Sequence, residues 1–406
     1  MHVRPILSAL RRHRTTATLI ILEIALTCAI VCNAVFLIHD RLSRIDQPSG
    51  LDERDLIRIQ ITGIDKTADA VALGRQDLQA LRTLPGVRHA ACTNMLPFSS
   101  SSMTGAARTE PGDAAPKVKV TMYMGSPDLL ETLGVGLVAG RAFTPDEYVG
   151  LDAVQADQTP LPSVIVTRDA AERLLPGKNP LGQRLYILGK APQVVVGVID
   201  RLAPSTGGPD PAEPSYAVVL PVHYPYSIGG TYLLQVDPAR QAEVLGAVDA
   251  ALARVDRNRI VQSRESYAEI RDAFFRQDRS LAYLLTGVSI TLLAVTGFGI
   301  VGLASFWVQQ RTRQIGVRRA LGATRGDITR YFQLENFLLT TAGIAVGMVL
   351  AYAINLWLMH RYQIARLPAG FLPIGAGLLW LLGQLAVLGP ARRAAAIPPA
   401  IATRSV

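Results

Sequence analysis

The chain has 406 residues, 49% of them hydrophobic and 18% charged, with 41 Lys and Arg against 32 Asp and Glu for a net charge of +9. That apolar fraction excludes a disordered chain, and three cysteines exclude a disulfide scaffold. Length allows two or three domains at ~150 residues each, but the apolar residues gather in four runs, which argues against an ordinary soluble enzyme.

Run one is Thr16–Ile38, behind Arg4, Arg11, Arg12 and Arg14. It is longer than a signal-peptide core and no A-x-A site closes it, so it reads as a retained anchor. Glu23 lies inside it. A mid-membrane charge costs roughly 3 kcal/mol, and the 11 Leu, Ile, Val and Phe residues between Leu19 and Leu37 return roughly 3–7 kcal/mol. The run inserts with Glu23 in place, as an intramembrane polar group that is either satisfied locally or paired across a subunit interface. Cys28 and Cys32, one turn apart, read as packing residues.

The segment from His39 to Ser280 reads as a mixed α/β domain. Ile57, Ile59 and Ile61 alternate with polar residues, as in a strand. Leu78, Leu81 and Leu84 keep helical spacing, ended by Pro85-Gly86. Ser99–Ser102 is a loop. Val118, Val120, Met122 and Met124 alternate again, and Gln193–Ile199, Tyr216–Val222 and Thr231–Val236 are β-rich, with a Ser/Gly/Pro-rich loop at Asp200–Pro214. Leu245, Val248, Leu252 and Val255 return to helical spacing. Cys92 has no partner in the segment for an intrachain bridge. About 240 residues can bury a core of their own.

Run two, Leu281–Val308, has 28 residues and reaches ~42 Å as a helix, more than ~30 Å of hydrocarbon. Its Gly297-Phe298-Gly299-Ile300-Val301-Gly302 matches G-x-G-x-x-G, but no strand precedes it, so Gly297 reads as a helix-packing position rather than part of a dinucleotide site. Gln309–Arg330 reads as an amphipathic helix, a turn and re-entry, with Arg311, Arg318 and Arg325 spaced seven apart near one face and Gly322 as terminator. On its residues alone it is either an interfacial helix facing lipid headgroups or a docking helix for a cytoplasmic protein. Run three, about Phe337–Met359, holds Gly343 and Gly347 in G-x-x-x-G, a packing motif that serves a dimer or the chain itself. Run four is about Phe371–Leu388.

The arginines orient the runs. Thirteen precede run one, follow run two or follow run four; two, Arg361 and Arg366, lie in the short opposite loop. The positive-inside rule puts both termini in the cytoplasm and the long segment outside. The basic pI is thus a topology signature, and no nucleic-acid partner is expected. No Walker A, H-E-x-x-H, G-x-S-x-G or C-x-x-C pattern occurs, so catalytic, cofactor-binding and metal-binding residues are expected to be none.

The run Arg313-Gln314-Ile315-Gly316-Val317-Arg318-Arg319-Ala320-Leu321-Gly322-Ala323 resembles the coupling-helix signature of the FtsX-like/MacB-like ABC transporter permeases. Ile328, Phe332 and Glu335 stand at its I…F…E positions, and Pro390-Ala391-Arg392-Arg393-Ala394-Ala395 with Pro399 resembles its closing motif. Leu81–Val87, Leu133–Val135, Ala139–Phe143, Asn179–Gly182 and Val195–Val198 resemble its periplasmic core. Gln314 stands where the family often has Glu and Ile401 where an acid is common, which bears on the polarity of contacts with an ATPase.

The resemblance implies a membrane protein with four transmembrane α-helices and a large mixed α/β extracytoplasmic domain inserted between helices 1 and 2. The expected division is a cytoplasmic segment at 1–15, helix 1 at 16–38 and a periplasmic MacB-like core domain at 39–280. Helix 2 follows at 281–308, the coupling helix and loop at 309–331, helix 3 at 332–359, helix 4 at 371–390 and a cytoplasmic tail at 391–406, with an FtsX-like permease domain at about 284–399. Arg311, Arg313, Gln314, Ile315, Gly316, Arg318, Arg319, Ala320, Leu321 and Gly322 are the expected ATPase-coupling residues. ATP and Mg would sit on a separate ABC ATPase subunit. The resemblance further implies a permease dimer, homo- or heteromeric, in contact with membrane lipids of the bacterial inner membrane, and allows a periplasmic adaptor and an outer-membrane duct. Export or efflux is the first reading; a non-transporting regulator of a periplasmic enzyme, of the cell-division type, is the alternative.

Overall fold

A computed structural model describes residues 14–63, 69–112, 116–156, 158–206, 216–224, 230–362 and 366–396. Arg4, Arg11 and Arg12 of the expected N-terminal segment, residues 207–214 of the Asp200–Pro214 loop, and Pro399, Ile401 and Arg404 of the tail lie outside them. The chain divides into two compact units, residues 1–42 with 278–406, and residues 43–277.

In chain order, helix α1 is Arg14–Ile45 and strand β1 is Leu56–Gly63. Helix α2 (Ala70–Arg82) leads to β2 (Val87–Thr93), β3 (Thr104–Ala107) and β4 (Val118–Met124). Helix α3 (Leu129–Leu133), β5 (Leu137–Gly140), β6 (Val149–Gly150) and α4 (Leu151–Gln155) come next. Then follow β7 (Ser163–Thr167), α5 (Arg168–Leu174), β8 (Arg184–Leu185), β9 (Gln193–Ile199), β10 (Ala217–Leu220), β11 (Val222–His223) and β12 (Thr231–Val236). Helix α6 is Gln241–Val255, β13 is Arg259–Ser266 and α7 is Tyr267–Phe274. The chain ends in α8 (Arg276–Gln310), α9 (Thr312–Ala320), α10 (Arg325–Tyr362) and α11 (Phe371–Ala396).

The inserted unit holds an antiparallel four-stranded sheet in the order β13-β1-β12-β2 and a seven-stranded mixed sheet in the order β3-β4-β10-β7-β9-β5, with β8 on β9. The alternation in β1 has its cause in the first sheet: Ile57, Ile59 and Ile61 are fully buried beside Leu78 and Leu81 of α2 and Val244, Val248 and Leu252 of α6. Asp77 of α2 is buried there, accepting hydrogen bonds from the Tyr232 hydroxyl at 2.8 Å and from Arg259 Nη1 at 2.5 Å. Burial raises the Asp77 pKa even though Arg259 pulls it down. Cys92, buried on the same face, has its thiol pushed up to about 12 by burial. The crossover from β2 to β3 joins the two sheets.

In the other unit, α1, α8, α10 and α11 are each long and apolar enough to cross a membrane. The helices run past the apolar spans. α1 continues to Ile45, just before Pro48 prevents further helix, and α11 continues to Ala396 because Ala391, Ala394 and Ala395 repeat on one face and are buried. α1 is the most enclosed: 61% of its most apolar stretch is buried, against 17% for α8. Small residues allow that closeness. A Cβ added at Gly343 would lie 2.7 Å from Ile24 Cγ2, and one at Gly347 would lie 2.8 Å from the Ala25 carbonyl oxygen. The G-x-x-x-G face is therefore occupied by α1 of the same chain. Polar side chains bridge the helices too. Thr27 and Thr296 hydroxyls are 2.7 Å apart, and Asn336 Nδ2 donates to the Gly383 carbonyl at 2.9 Å.

Candidate coupling surface

The basic segment is a short helix, a turn at Gly322 and the start of α10, the order its residues suggest. α8 ends at Gln310, Arg311 occupies the N-cap of the nine-residue α9, and Gly322 takes φ +99° to end it. Only glycine adopts that backbone at little cost. Gly322 N–H donates to the Arg319 carbonyl and Ala323 N–H to that of Arg318, both at 3.1 Å. Thr324 and Asp327 then cap each other, with Asp327 N–H donating to Thr324 Oγ1 at 3.1 Å and Thr324 N–H to Asp327 Oδ2 at 3.0 Å. α10 starts there.

This turn corrects the seven-residue face. Arg311 and Arg318 line one cleft against α10, but Arg318 is exposed there and Arg311 is buried. It points inward and is 7% exposed; its Nη1 donates to both carboxylate oxygens of Glu335 at 2.9 Å, and its guanidinium lies 5.5 Å from the Trp307 ring. Arg325 begins α10 beyond the break. The seven-residue count fails at Arg325 because a helix period holds only within an unbroken helix, and the turn at Gly322 intervenes.

The remaining expected coupling residues divide by direction. Ile315 and Gly316 are buried, Ile315 in a cluster with Trp307, Ile328 and Phe332. Arg319 is half-buried and donates to the Ala395 carbonyl of α11 at 3.2 Å. Arg313, Gln314, Arg318, Ala320, Leu321 and Gly322 are exposed. Arg318 lies 4.7 Å over the Tyr331 ring, which holds its guanidinium beside a shallow cleft bordered by Gln314, Ile315 and Phe332. Leu321 is 84% exposed and Val317 46%. The surface is therefore two apolar side chains between Arg313 and Arg318, on a short helix anchored by Arg311, Ile315 and Arg319. Its chemistry suits a protein groove with an apolar floor and acidic rim.

Two residues of the family motifs, Val317 and Glu335, are not among the expected coupling residues. Val317 sits inside the motif without standing out, although its spacing of four from Leu321 puts both on one helix face. Glu335 carries a readable signal: outside residues 39–280 the chain has just three acids, Glu23, Asp327 and Glu335.

The packing glycines separate as well. Gly297 faces α11, where an added Cβ would lie 3.3 Å from Leu382 Cδ1. Gly299 is the close approach to α1, because the Glu23 carboxylate rests against it. Among the described residues, no group of three or more His, Cys, Asp or Glu side chains is arranged to hold a metal ion.

Residues 17–254 match the MacB-like periplasmic core domain family, and residues 286–399 match the FtsX-like permease C-terminal family. A macrolide export ATP-binding/permease protein MacB from Agrobacterium fabrum is 27% identical over 86% of this chain and 54% of its own length. A pyoverdine export ATP-binding/permease protein PvdT from Pseudomonas putida is 30% identical over 66% of this chain and 40% of its own. The chain thus spans about half or less of the length of these relatives. The crystal structure of the periplasmic region of MacB from Actinobacillus actinomycetemcomitans aligns at 14% identity and TM-score 0.32, covering 55% of this chain and 94% of that one. The chain belongs to the family of FtsX-like permeases that carry a MacB-like periplasmic core domain.

Proposed function

We propose that this chain is the transmembrane permease subunit of an export-type ABC transporter, driven by an ATPase subunit that docks on α9. The observation that carries this reading is the exposed Val317–Leu321 pair between Arg313 and Arg318, on a helix tied to the spanning helices through Arg311 and Glu335. An apolar knob with flanking guanidiniums needs a partner to cover it. Movement of a helix held by a buried ion pair is passed to α8 and α10 rather than lost locally. ATP and Mg would bind the partner, and two permease chains with two ATPases would form the working unit in the inner membrane. The thirteen-to-two arginine distribution supports cytoplasmic termini. A periplasmic adaptor and an outer-membrane duct would complete an export path. The relatives' names, macrolide export and pyoverdine export, favour small-molecule export over regulation of a periplasmic enzyme.

The test is co-purification of the full chain in mild detergent, comparing wild type with Leu321→Asp. Leu321 is exposed enough that the substitution leaves the fold intact. An ABC ATPase retained by wild type and reduced at least tenfold by the variant supports the reading. Equal recovery by both overturns docking on α9, and a co-purifying peptidoglycan hydrolase replaces export with regulation.

A further inference from the structure

The chain enters the inserted domain at the end of α1 and leaves it just before α8. Both crossings converge on Arg271 of α7. Its Nη2 donates to the carbonyls of Ile45 at 2.7 Å and Gln47 at 2.5 Å, and its Nη1 pairs with Glu53 at 2.5 Å. The guanidinium also lies 5.0 Å over the Phe98 ring and 5.6 Å over that of Phe275, the residue before α8. One planar group thus ties the exit of α1, the entry to α8 and the Phe98 loop.

That loop is the crossover between the four-stranded and seven-stranded sheets. Phe98 is fully buried yet has φ +54°, and Ser100 has φ +62°. Left-handed backbone at a bulky residue costs energy and persists only when the surroundings impose it. Here they do: Phe98 packs on Phe274 and Phe275, the Tyr267 hydroxyl donates to the Pro97 carbonyl at 3.2 Å, and Ser99 N–H donates to the Ser205 carbonyl at 3.0 Å.

We propose that Arg271 is a positioning residue for mechanical transmission, the joint that passes displacement of the helix connections into the strained crossover and so changes how the two sheets are set against each other. This rests on the permease reading above. A lysine at 271 keeps the charge opposite Glu53, but a single ammonium cannot reach both carbonyls and stack on two rings.

The test uses the full chain with its ATPase in liposomes. Cys28, Cys32 and Cys92 are replaced by alanine, and spin labels are attached at Arg254→Cys and Lys178→Cys, exposed positions that report on the two sheets. The distance between labels is measured without nucleotide and after trapping with ATP and vanadate. The proposal expects a nucleotide-dependent shift in the otherwise wild-type chain. Arg271→Lys should lose it while keeping its melting temperature, ATPase association and ATP turnover. Phe98→Leu, which keeps the apolar volume but removes the ring, should also reduce it and serves if Arg271→Lys fails to fold. A full shift in both variants overturns the joint, as does loss of ATPase association in Arg271→Lys, which would move the defect to docking. No shift in the wild-type background overturns the permease reading itself, and the joint with it.

Discussion

Arg311 and Glu335 form a buried ion pair across a tight turn, with one guanidinium nitrogen 2.9 Å from each carboxylate oxygen and the two side chains 9% and 1% exposed. The pair joins the end of α8 to the body of α10, and the Arg318–Leu321 surface is hung from it. Its position explains how a nine-residue helix, too short to be stable alone, is held in place.

Breaking that pair from one side strands a buried charge. Glu335→Leu is expected to destabilise the chain by about 3–5 kcal/mol, whereas Glu335→Leu with Arg311→Met should recover most of the loss. Arg311 Nη2 is already buried with no hydrogen-bond partner among the described residues, so the pair is not ideally satisfied. Thermal unfolding of the detergent-solubilised chain checks this; a double variant no more stable than the single one would refute it.

The G-x-x-x-G face should be intolerant of side chains for a reason internal to the chain. Gly347→Leu would drive atoms into Ala25 and Cys28, and Gly343→Leu into Ile24. Overpacking of this kind costs about 1–3 kcal/mol or more. Gly302 has nothing within 4 Å of an added Cβ, so Gly302→Leu is the neutral control. Folded yield in membranes and melting temperature separate the three, and an equally tolerated Gly347→Leu would contradict the packing.

The outer domain carries an acid-sensitive contact. Arg141 donates to Glu147 at 2.8 and 2.9 Å, and with the Thr144 N–H it lowers the Glu147 pKa to about 2. A depressed carboxyl pKa stabilises the fold above the unfolded value near 4.5 and loses that contribution as pH falls through about 2. Arg141 is half-exposed, so solvent screening limits the gain to about 1 kcal/mol. Glu147→Gln should lower stability at pH 7 and flatten its fall between pH 5 and 2, as followed by denaturant unfolding at each pH. An unchanged pH profile would rule the contact out as a source of acid sensitivity.

Much of this architecture is legible in the residues. Ile57, Ile59 and Ile61 announce β1, and the four apolar runs announce the spanning helices. β2 is harder to read, because the residues it buries, Ala90, Ala91 and Cys92, are small. β5 is nearly invisible, since among the described residues it pairs only with β9 and leaves Leu137 and Val138 exposed. At the basic segment the motif marks a helix and its terminator but not which way each side chain points. Arg311 looks like its neighbours until the turn at Gly322 brings Glu335, 24 positions away, against it. Arg271 gives little local signal, since apart from Phe275 these partners come from residues 45–53 and 98.

The central claim is that α9 docks an ATPase. A photo-crosslinking amino acid in place of Leu321, activated in intact cells and followed by mass spectrometry of the adduct, tests it most directly. The account predicts a covalent adduct with an ABC ATPase subunit, lost when the crosslinker is moved to the buried position Ile315. Adducts with lipid alone would make α9 an interfacial helix and contradict the account.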